Sequence, residues 1–123
     1  MNRKAIGDRA EHLAYLYLKK RGLRLLHRNF HCRGGEIDLV MRHADSLVFV
    51  EVRYRSSIDY GRAAETISAR KQDRIIRCAQ YYMNRHGLWN TTARFDVICL
   101  EGDPEHPRVE WISDAFTADS RRT

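Results

Sequence analysis

The chain has 123 residues, which is long enough for one domain whose hydrophobic core needs no metal or disulfide to hold it. Its hydrophobic share of 43% and charged share of 31% are ordinary for a soluble globular protein. No apolar run approaches the ~20 residues of a membrane helix, and residues 1–11 lack the apolar stretch of a secretory signal. We therefore expect a cytoplasmic protein with no membrane partner.

The hydrophobic patterns predict helices and strands in the order α-β-β-β-α-β-β. The predicted elements are a helix over 3–21, strands over 23–29, 36–42 and 47–54, a helix from the capping residue Ser68 to about His86, and strands over 94–100 and 109–112. This order favours the α/β class, with a mixed β-sheet flanked by helices. We predict a single domain over residues 1–116 and a frayed tail over residues 117–123.

The basic charge lies in one part of the chain. Residues 1–95 contain 19 Lys or Arg against nine Asp or Glu, whereas residues 96–123 contain three against seven. A surplus of this size attracts polyanions, nucleic acid first. Arg outnumbers Lys by 18 to four, which suits bidentate phosphate contacts, although codon bias explains such a ratio about as well.

Three cysteines, Cys32, Cys78 and Cys99, are an odd number with no paired spacing. We therefore expect reduced thiols, with neither a disulfide framework nor a zinc site. Asp96 alternates onto the same face as Arg94, which predicts an internal ion pair.

The strands over 36–42 and 47–54 are close enough to form a hairpin. If residues 43–46 form its turn, Arg42 pairs with Leu47. Counting back along both strands places Asp38 opposite Glu51.

The same count places Glu36 opposite Arg53. Directly opposed carboxylates, such as Asp38 and Glu51, repel each other unless a cation joins them or one of them is protonated. Mg²⁺ resolves this conflict, because it is commonly held by one or two carboxylates together with waters and phosphate oxygens. The alternative is a solvated surface hairpin with an ion pair between Glu36 and Arg53.

The apolar pattern of the second strand argues against that alternative. Val48, Val50 and Val52 fill one face, while Leu47 and Phe49 begin the other. A strand that is apolar on both sides is typical of the covered centre of a sheet. Carboxylates at the end of such a strand are harder to explain as ordinary solvated charges.

Several motifs resemble the bacterial YraN family over nearly the whole chain. The central ones are residues 33–40 (RGGEIDLV) and 48–55 (VFVEVRYR). Others are the Gly7 and Glu11 pair, residues 63–65 with Lys71, residues 94–98 (RFDVI) and residues 109–112 (VEWI). That family is uncharacterised in function. It is grouped with the PD-(D/E)xK nuclease superfamily and is similar to archaeal Holliday-junction resolvases.

The resemblance implies a restriction-endonuclease-like fold and a set of catalytic residues. Asp38 matches the motif aspartate, Glu51 the glutamate of E-x-K, and Glu11 the helical glutamate, so these three are the implied metal ligands. Arg53 stands where the superfamily usually has lysine. Arginine cannot act as a general base, but it can stabilise phosphate charge. Lys71 could replace the lysine, although a solvated helix-surface charge is the favoured explanation for it.

Basic residues around this pair are candidates for phosphate contacts. They lie in predicted loops or near the start of the second long helix, and they are Arg33, Arg55, Arg62, Arg70, Lys71 and Arg74. For Arg70 and Arg74 a solvated helix face explains the pattern equally well.

The leading hypothesis is an endonuclease dependent on Mg²⁺ or Mn²⁺ that acts on DNA, including branched or damaged structures. Asp38, Glu51, Arg53 and Glu11 are the expected catalytic residues, and a homodimer would allow both strands to be cut. The second hypothesis is a non-catalytic nucleic-acid-binding module on the same scaffold, and a third is an adaptor that binds another protein.

Overall fold

The computed structural model describes residues 1–56 and 67–118. In these residues the elements are α1 (Arg3–Lys20), β1 (Arg24–Cys32), β2 (Gly35–His43), β3 (Ser46–Arg55), α2 (Ala69–Arg85), β4 (Ala93–Glu101) and β5 (Arg108–Phe116). The predicted order α-β-β-β-α-β-β is confirmed. The predicted division into one domain and a tail stays a prediction, since residues 119–123 lie outside the described part.

The five strands form one sheet in the order β1-β2-β3-β4-β5. Neighbours are antiparallel except β3 and β4, which are parallel. A parallel pair needs a crossover connection, and α2 lies in the segment that joins β3 to β4. The predicted mixed sheet is therefore confirmed.

The two helices cover opposite faces of the sheet. On one face, Leu47 and Phe49 of β3 belong to a buried cluster with residues of α2. On the other face, Val48 and Val50 pack in a cluster with residues of α1. This alternation confirms β3 as a central strand that is covered on both sides. None of the helices in the described ranges is both long and apolar enough to span a membrane.

Side-chain caps fix where both helices begin. The Asn2 side chain accepts a hydrogen bond from the Ala5 amide at 2.8 Å. Ser68 Oγ accepts one from the Lys71 amide at 3.1 Å, which confirms Ser68 as the N-cap of α2. Because α2 starts at this fixed point, Lys71 lies in its first turn.

The hairpin register is as predicted near the turn and changes farther along. Arg42 pairs with Leu47, but the ladder between β2 and β3 ends at Leu39 and Val50. Beyond that pair β2 bonds only to β1, and β3 bonds only to β4. The two strands therefore diverge into a fork that begins at Asp38 and Glu51.

The predicted pairing of Glu36 with Arg53 is wrong, because both residues lie beyond the start of the fork. Glu36 pairs instead with His31 of β1, and the Glu36 carboxylate lies 3.4 Å from His31 Nδ1. Arg53 pairs with Cys99 of β4. The turn length alone could not predict where the strands separate.

The prediction of three reduced thiols is wrong for two of them. Cys32 at the end of β1 and Cys78 of α2 form a disulfide, with their Cα atoms 5.6 Å apart. Cys99 is free and buried. Burial, together with the neighbouring Glu101 carboxylate, raises the pKa of the Cys99 thiol to about 11. Cys99 therefore stays protonated and unreactive in the folded protein.

We expect reduction of this disulfide to lower the free energy of unfolding by about 4 kcal/mol, because the bond closes a loop of 46 residues in the unfolded chain. The measurement is urea unfolding with and without reductant. The double variant Cys32→Ser/Cys78→Ser is the control and should not respond to reductant. Thiol titration of the unfolded, unreduced protein should find Cys99 alone. Reaction of all three cysteines before reduction would contradict the pairing.

Candidate functional site

The fork between β2 and β3 brings two carboxylates together. The Asp38 side chain accepts a hydrogen bond from the Val52 amide at 2.8 Å, so it occupies the space that the departing β2 backbone leaves open. It also shares a hydrogen bond with the Glu51 side chain. Asp38 is half-buried and Glu51 is only 8% exposed. The pair that was predicted from the hairpin register is therefore in contact.

Burial raises the pKa of Glu51, and together with the hydrogen bond and negative charge of Asp38 it brings that pKa to about 8. Two adjacent carboxylates cannot both ionise without a large energetic cost. The pair therefore holds one proton at neutral pH when no cation is bound. A divalent cation can take the place of that proton.

Lys71 contacts this pair from α2. Its Nζ atom lies 3.3 Å from Glu51 Oε2, and its positive charge lowers the pKa of Glu51 against the stronger effect of burial. The favoured prediction of a solvated surface charge for Lys71 is therefore wrong. The cap at Ser68 was the sequence signal that placed Lys71 in the first turn of α2. The contact itself depends on how α2 packs over β3.

Glu11 approaches from α1, on the opposite face of the sheet. It lines a cavity of about 300 Å³ with Asp38, Glu36 and Asn29. Burial and the charge of Asp38 raise the pKa of Glu11, while a hydrogen bond with Asn29 opposes that shift. Glu11 is thus an electrostatic neighbour of Asp38.

Arg53 lies two residues beyond Glu51 on β3, and it is half-buried. Because side chains alternate along a strand, Arg53 and Glu51 point to the same side of the sheet, where α2 packs. Arg53 therefore lies on the same side of the fork as the Lys71 ammonium group.

The donor chemistry of the pair fits a hard divalent cation. Within residues 1–56 and 67–118, no three His, Cys, Asp or Glu side chains lie close enough together to hold a metal ion. Asp38 and Glu51 are a pair of oxygen donors, and Mg²⁺ often uses only one or two carboxylates, with waters and phosphate oxygens as its other ligands. The role of Glu11 as a third ligand stays a prediction.

The predicted phosphate-contact residues are placed differently from one another. Arg33, Arg70 and Arg74 are exposed, whereas Arg55 is half-buried in β3. Arg62 lies outside the described residues. The turn between β1 and β2 approaches α2, and a cavity of about 290 Å³ there joins Gly34 and Glu36 to Lys71 and Arg74. Gly34 adopts φ +84°, a conformation that favours glycine at this turn.

The sequence is similar to proteins of one family. The profile of the uncharacterised protein family UPF0102 matches residues 10–100. A UPF0102 protein of Colwellia psychrerythraea is 48% identical over 112 residues, which cover 89% of this chain and 87% of the relative. One of Nitrosococcus oceani is 47% identical over 115 residues, 93% of each chain. One of Methylobacillus flagellatus is 47% identical over 115 residues, 94% of this chain and 99% of the relative. The resemblance to YraN-like proteins is confirmed.

Proposed function

The chain belongs to the uncharacterised protein family UPF0102, and we propose that it is a divalent-metal-dependent endonuclease that hydrolyses phosphodiester bonds in DNA. The observation that carries the proposal is the position of the buried Glu51 beside Asp38 at the fork of the sheet, where the Val52 amide holds the Asp38 carboxylate. Clustered carboxylates hinder phosphate binding unless a cation joins them. The resemblance to PD-(D/E)xK nucleases, inferred from the motifs around both residues, supports the same assignment.

Asp38 and Glu51 would hold Mg²⁺ or Mn²⁺. When bound, such an ion polarises a phosphate oxygen and acidifies a water molecule. The Val52 amide fixes the orientation of Asp38, and the Lys71 ammonium group fixes that of Glu51. Glu11, on the other side of Asp38, is suited to bind a metal-linked water or to serve as a further ligand.

Arg53 and Lys71 would stabilise the negative charge that develops on the phosphate. Arg53 cannot accept a proton, so the proton-accepting role that a lysine can play is not open to it. Lys71 is the lysine that contacts the carboxylate pair, and it takes over the position of a cation beside Glu51. Arg33, Arg70 and Arg74 are exposed and available for contacts to the DNA backbone.

The second candidate is a non-catalytic nucleic-acid-binding module on this scaffold. Arg53 favours it, because arginine replaces the usual lysine of the motif. An adaptor that binds a protein is a third candidate, and weak salt dependence of DNA affinity would point to it. For the nuclease, similarity to resolvases suggests branched or damaged DNA as the substrate, and a cytoplasmic homodimer would allow both strands to be cut.

The test is a cleavage assay on labelled single-stranded, duplex, flap and four-way-junction DNA with Mg²⁺, Mn²⁺ or EDTA. We expect cleavage with either metal and none with EDTA. Asp38→Asn and Glu51→Gln keep the side-chain shape and should lower the rate at least 100-fold, since each removes a charged ligand. Asp45→Asn, in the exposed hairpin turn, is the matched control and should cut like the wild type.

Three results would count against the nuclease. Equal cleavage by wild type and both site variants would assign the activity to a contaminant. Cleavage that persists in EDTA would show that the activity does not depend on a divalent metal. Salt-sensitive DNA binding without cleavage of any substrate would favour the binding module, with Arg53 as the suspected cause.

A further inference from the structure

A third cavity lies farther along α2 from the carboxylate pair. It has a volume of about 550 Å³ and lies between the turn that joins β1 to β2 and the outer side of α2. Its lining residues are His31, Cys32, Arg33, Arg77 and Tyr81. The cavity therefore combines two arginines and an aromatic ring, and none of its described lining residues is acidic.

Tyr81 offers a fixed and accessible ring. Its side chain is 48% exposed, a large fraction for an aromatic residue on a packed helix. The Phe30 ring lies 6.1 Å from the Tyr81 ring, centroid to centroid. Arg85 donates a hydrogen bond of 3.0 Å to the Tyr81 hydroxyl. These contacts hold the ring in place, so little conformational freedom would be lost when a planar group stacks on it.

The disulfide holds the backbones of the two arginines of the cavity close together. Arg33 directly follows Cys32, and Arg77 directly precedes Cys78, and the Cα atoms of the two cysteines are 5.6 Å apart. Both arginines are exposed. Guanidinium groups bind phosphate oxygens bidentately, which makes this end of the cavity suitable for one backbone phosphate.

A row of side chains on α2 connects the cavity to the carboxylate pair. Lys71 contacts Glu51, and Arg74 lines the neighbouring cavity of about 290 Å³. Arg77 and Tyr81, which line the third cavity, follow on the next turns of the helix. The rise of an α-helix places Tyr81 about 15 Å beyond Lys71. An extended strand spans that distance with a few nucleotides.

We propose that this cavity binds an unpaired nucleotide of a DNA strand whose backbone runs along α2 to Asp38 and Glu51. The base stacks on Tyr81, and its phosphate contacts Arg33 and Arg77. A base within a duplex has both faces covered by its neighbours, so only an unpaired base can stack on a side chain. The inference rests on the proposed nuclease, and it specifies a substrate with a single-stranded segment beside the scissile bond.

The test is binding of labelled DNA by fluorescence anisotropy in EDTA, so that no strand is cut. Single-stranded, flap and blunt duplex oligonucleotides are compared for wild type, Tyr81→Ala and Tyr81→Phe. We expect Tyr81→Ala to weaken binding of single-stranded and flap DNA roughly tenfold and to leave duplex binding within about twofold. Tyr81→Phe keeps the ring and loses only the hydrogen bond from Arg85, so it should retain most of the wild-type affinity for single-stranded DNA. Trp89→Ala removes another exposed aromatic ring and is the matched control.

Unchanged affinity of Tyr81→Ala for single-stranded DNA would overturn the inference, and so would an equal loss for all three DNA forms. Tyr81→Phe separates loss of the ring from loss of the fold, and a thermal melt of each variant checks the fold directly. The cleavage assay tests the proposed nuclease activity independently of this binding measurement. Suppose that the wild type cuts no DNA but Tyr81→Ala still has a selectively lower affinity for single-stranded DNA. The cavity is then supported as a nucleotide-binding site, and the catalytic proposal fails.

Discussion

We expect Asp96→Ala to lower the free energy of unfolding by roughly 3–5 kcal/mol. Asp96 is fully buried and forms an ion pair with Arg94 at 3.1 Å, as the sequence predicts. It also accepts hydrogen bonds of 2.9 Å from the Trp111 indole and from the Asp114 amide. These contacts join β4 to β5 where their register shifts. Alanine would leave the half-buried Arg94 charge and two further donors without their acceptor.

Urea unfolding of Asp96→Ala, Arg94→Ala and the double variant measures this effect. The free energy of unfolding of the double variant should fall by less than the sum of the two single decreases. The reason is that the second substitution removes a charge that the first has already left without a partner. Asp45→Ala, in the exposed hairpin turn, is the control and should stay within about 0.5 kcal/mol of the wild type. A decrease of less than about 1 kcal/mol in the free energy of unfolding of Asp96→Ala would show that the Asp96 contacts between β4 and β5 do not stabilise the fold as expected.

The second large effect is on the pH dependence of stability in the metal-free protein. The pKa of Glu51 is about 8 in the folded protein and near its ordinary value of 4.5 in the unfolded chain. Between these values the folded state holds a proton that the unfolded state releases. The stabilisation from that proton is therefore complete below pH 4.5, and it declines as the pH rises to about 8. The steepest decline for one proton is about 1.4 kcal/mol per pH unit.

Glu51→Gln should remove this decline, because glutamine is neutral at every pH. The measurement is urea unfolding in EDTA between pH 5 and pH 9, taken as the difference between variant and wild type. The free energy of unfolding of Glu51→Gln, relative to that of the wild type, should increase with pH up to about pH 8. Asp45→Asn, a substitution of the same kind at the exposed carboxylate of the hairpin turn, should run parallel to the wild type. Parallel curves for Glu51→Gln would show that the Glu51 pKa is not raised.

Features that depend on neighbouring residues could be predicted from the sequence. Strand alternation predicted both covered faces of β3 and the ion pair between Arg94 and Asp96. The turn length predicted the pairing of Arg42 with Leu47. Each of these follows from local geometry, because a strand period or a cap fixes the positions of residues only a few places apart.

Features that depend on packing between distant elements could not be predicted from the sequence. The contact of Lys71 with Glu51 requires α2 to cross above the end of β3. The bond between Cys32 and Cys78 requires the same helix to lie against the end of β1. Nothing in the cysteine spacing indicated which two of three would pair. The fork after Leu39 and Val50 likewise depends on β2 remaining with β1 while β3 remains with β4.

The exchange of the shared proton for a divalent cation is the central claim of the proposed function. Isothermal titration of Mn²⁺ into the metal-free protein at pH 7, in two buffers of different ionisation enthalpy, measures both the affinity and the number of protons released. Since the pKa of Glu51 is about 8, we predict release of about one proton per Mn²⁺ ion. Glu51→Gln should bind more weakly and release none, while Asp45→Asn should behave as the wild type. Mn²⁺ binding of equal strength in Glu51→Gln, or no binding to the wild type, would contradict the assignment of Asp38 and Glu51 as a metal site.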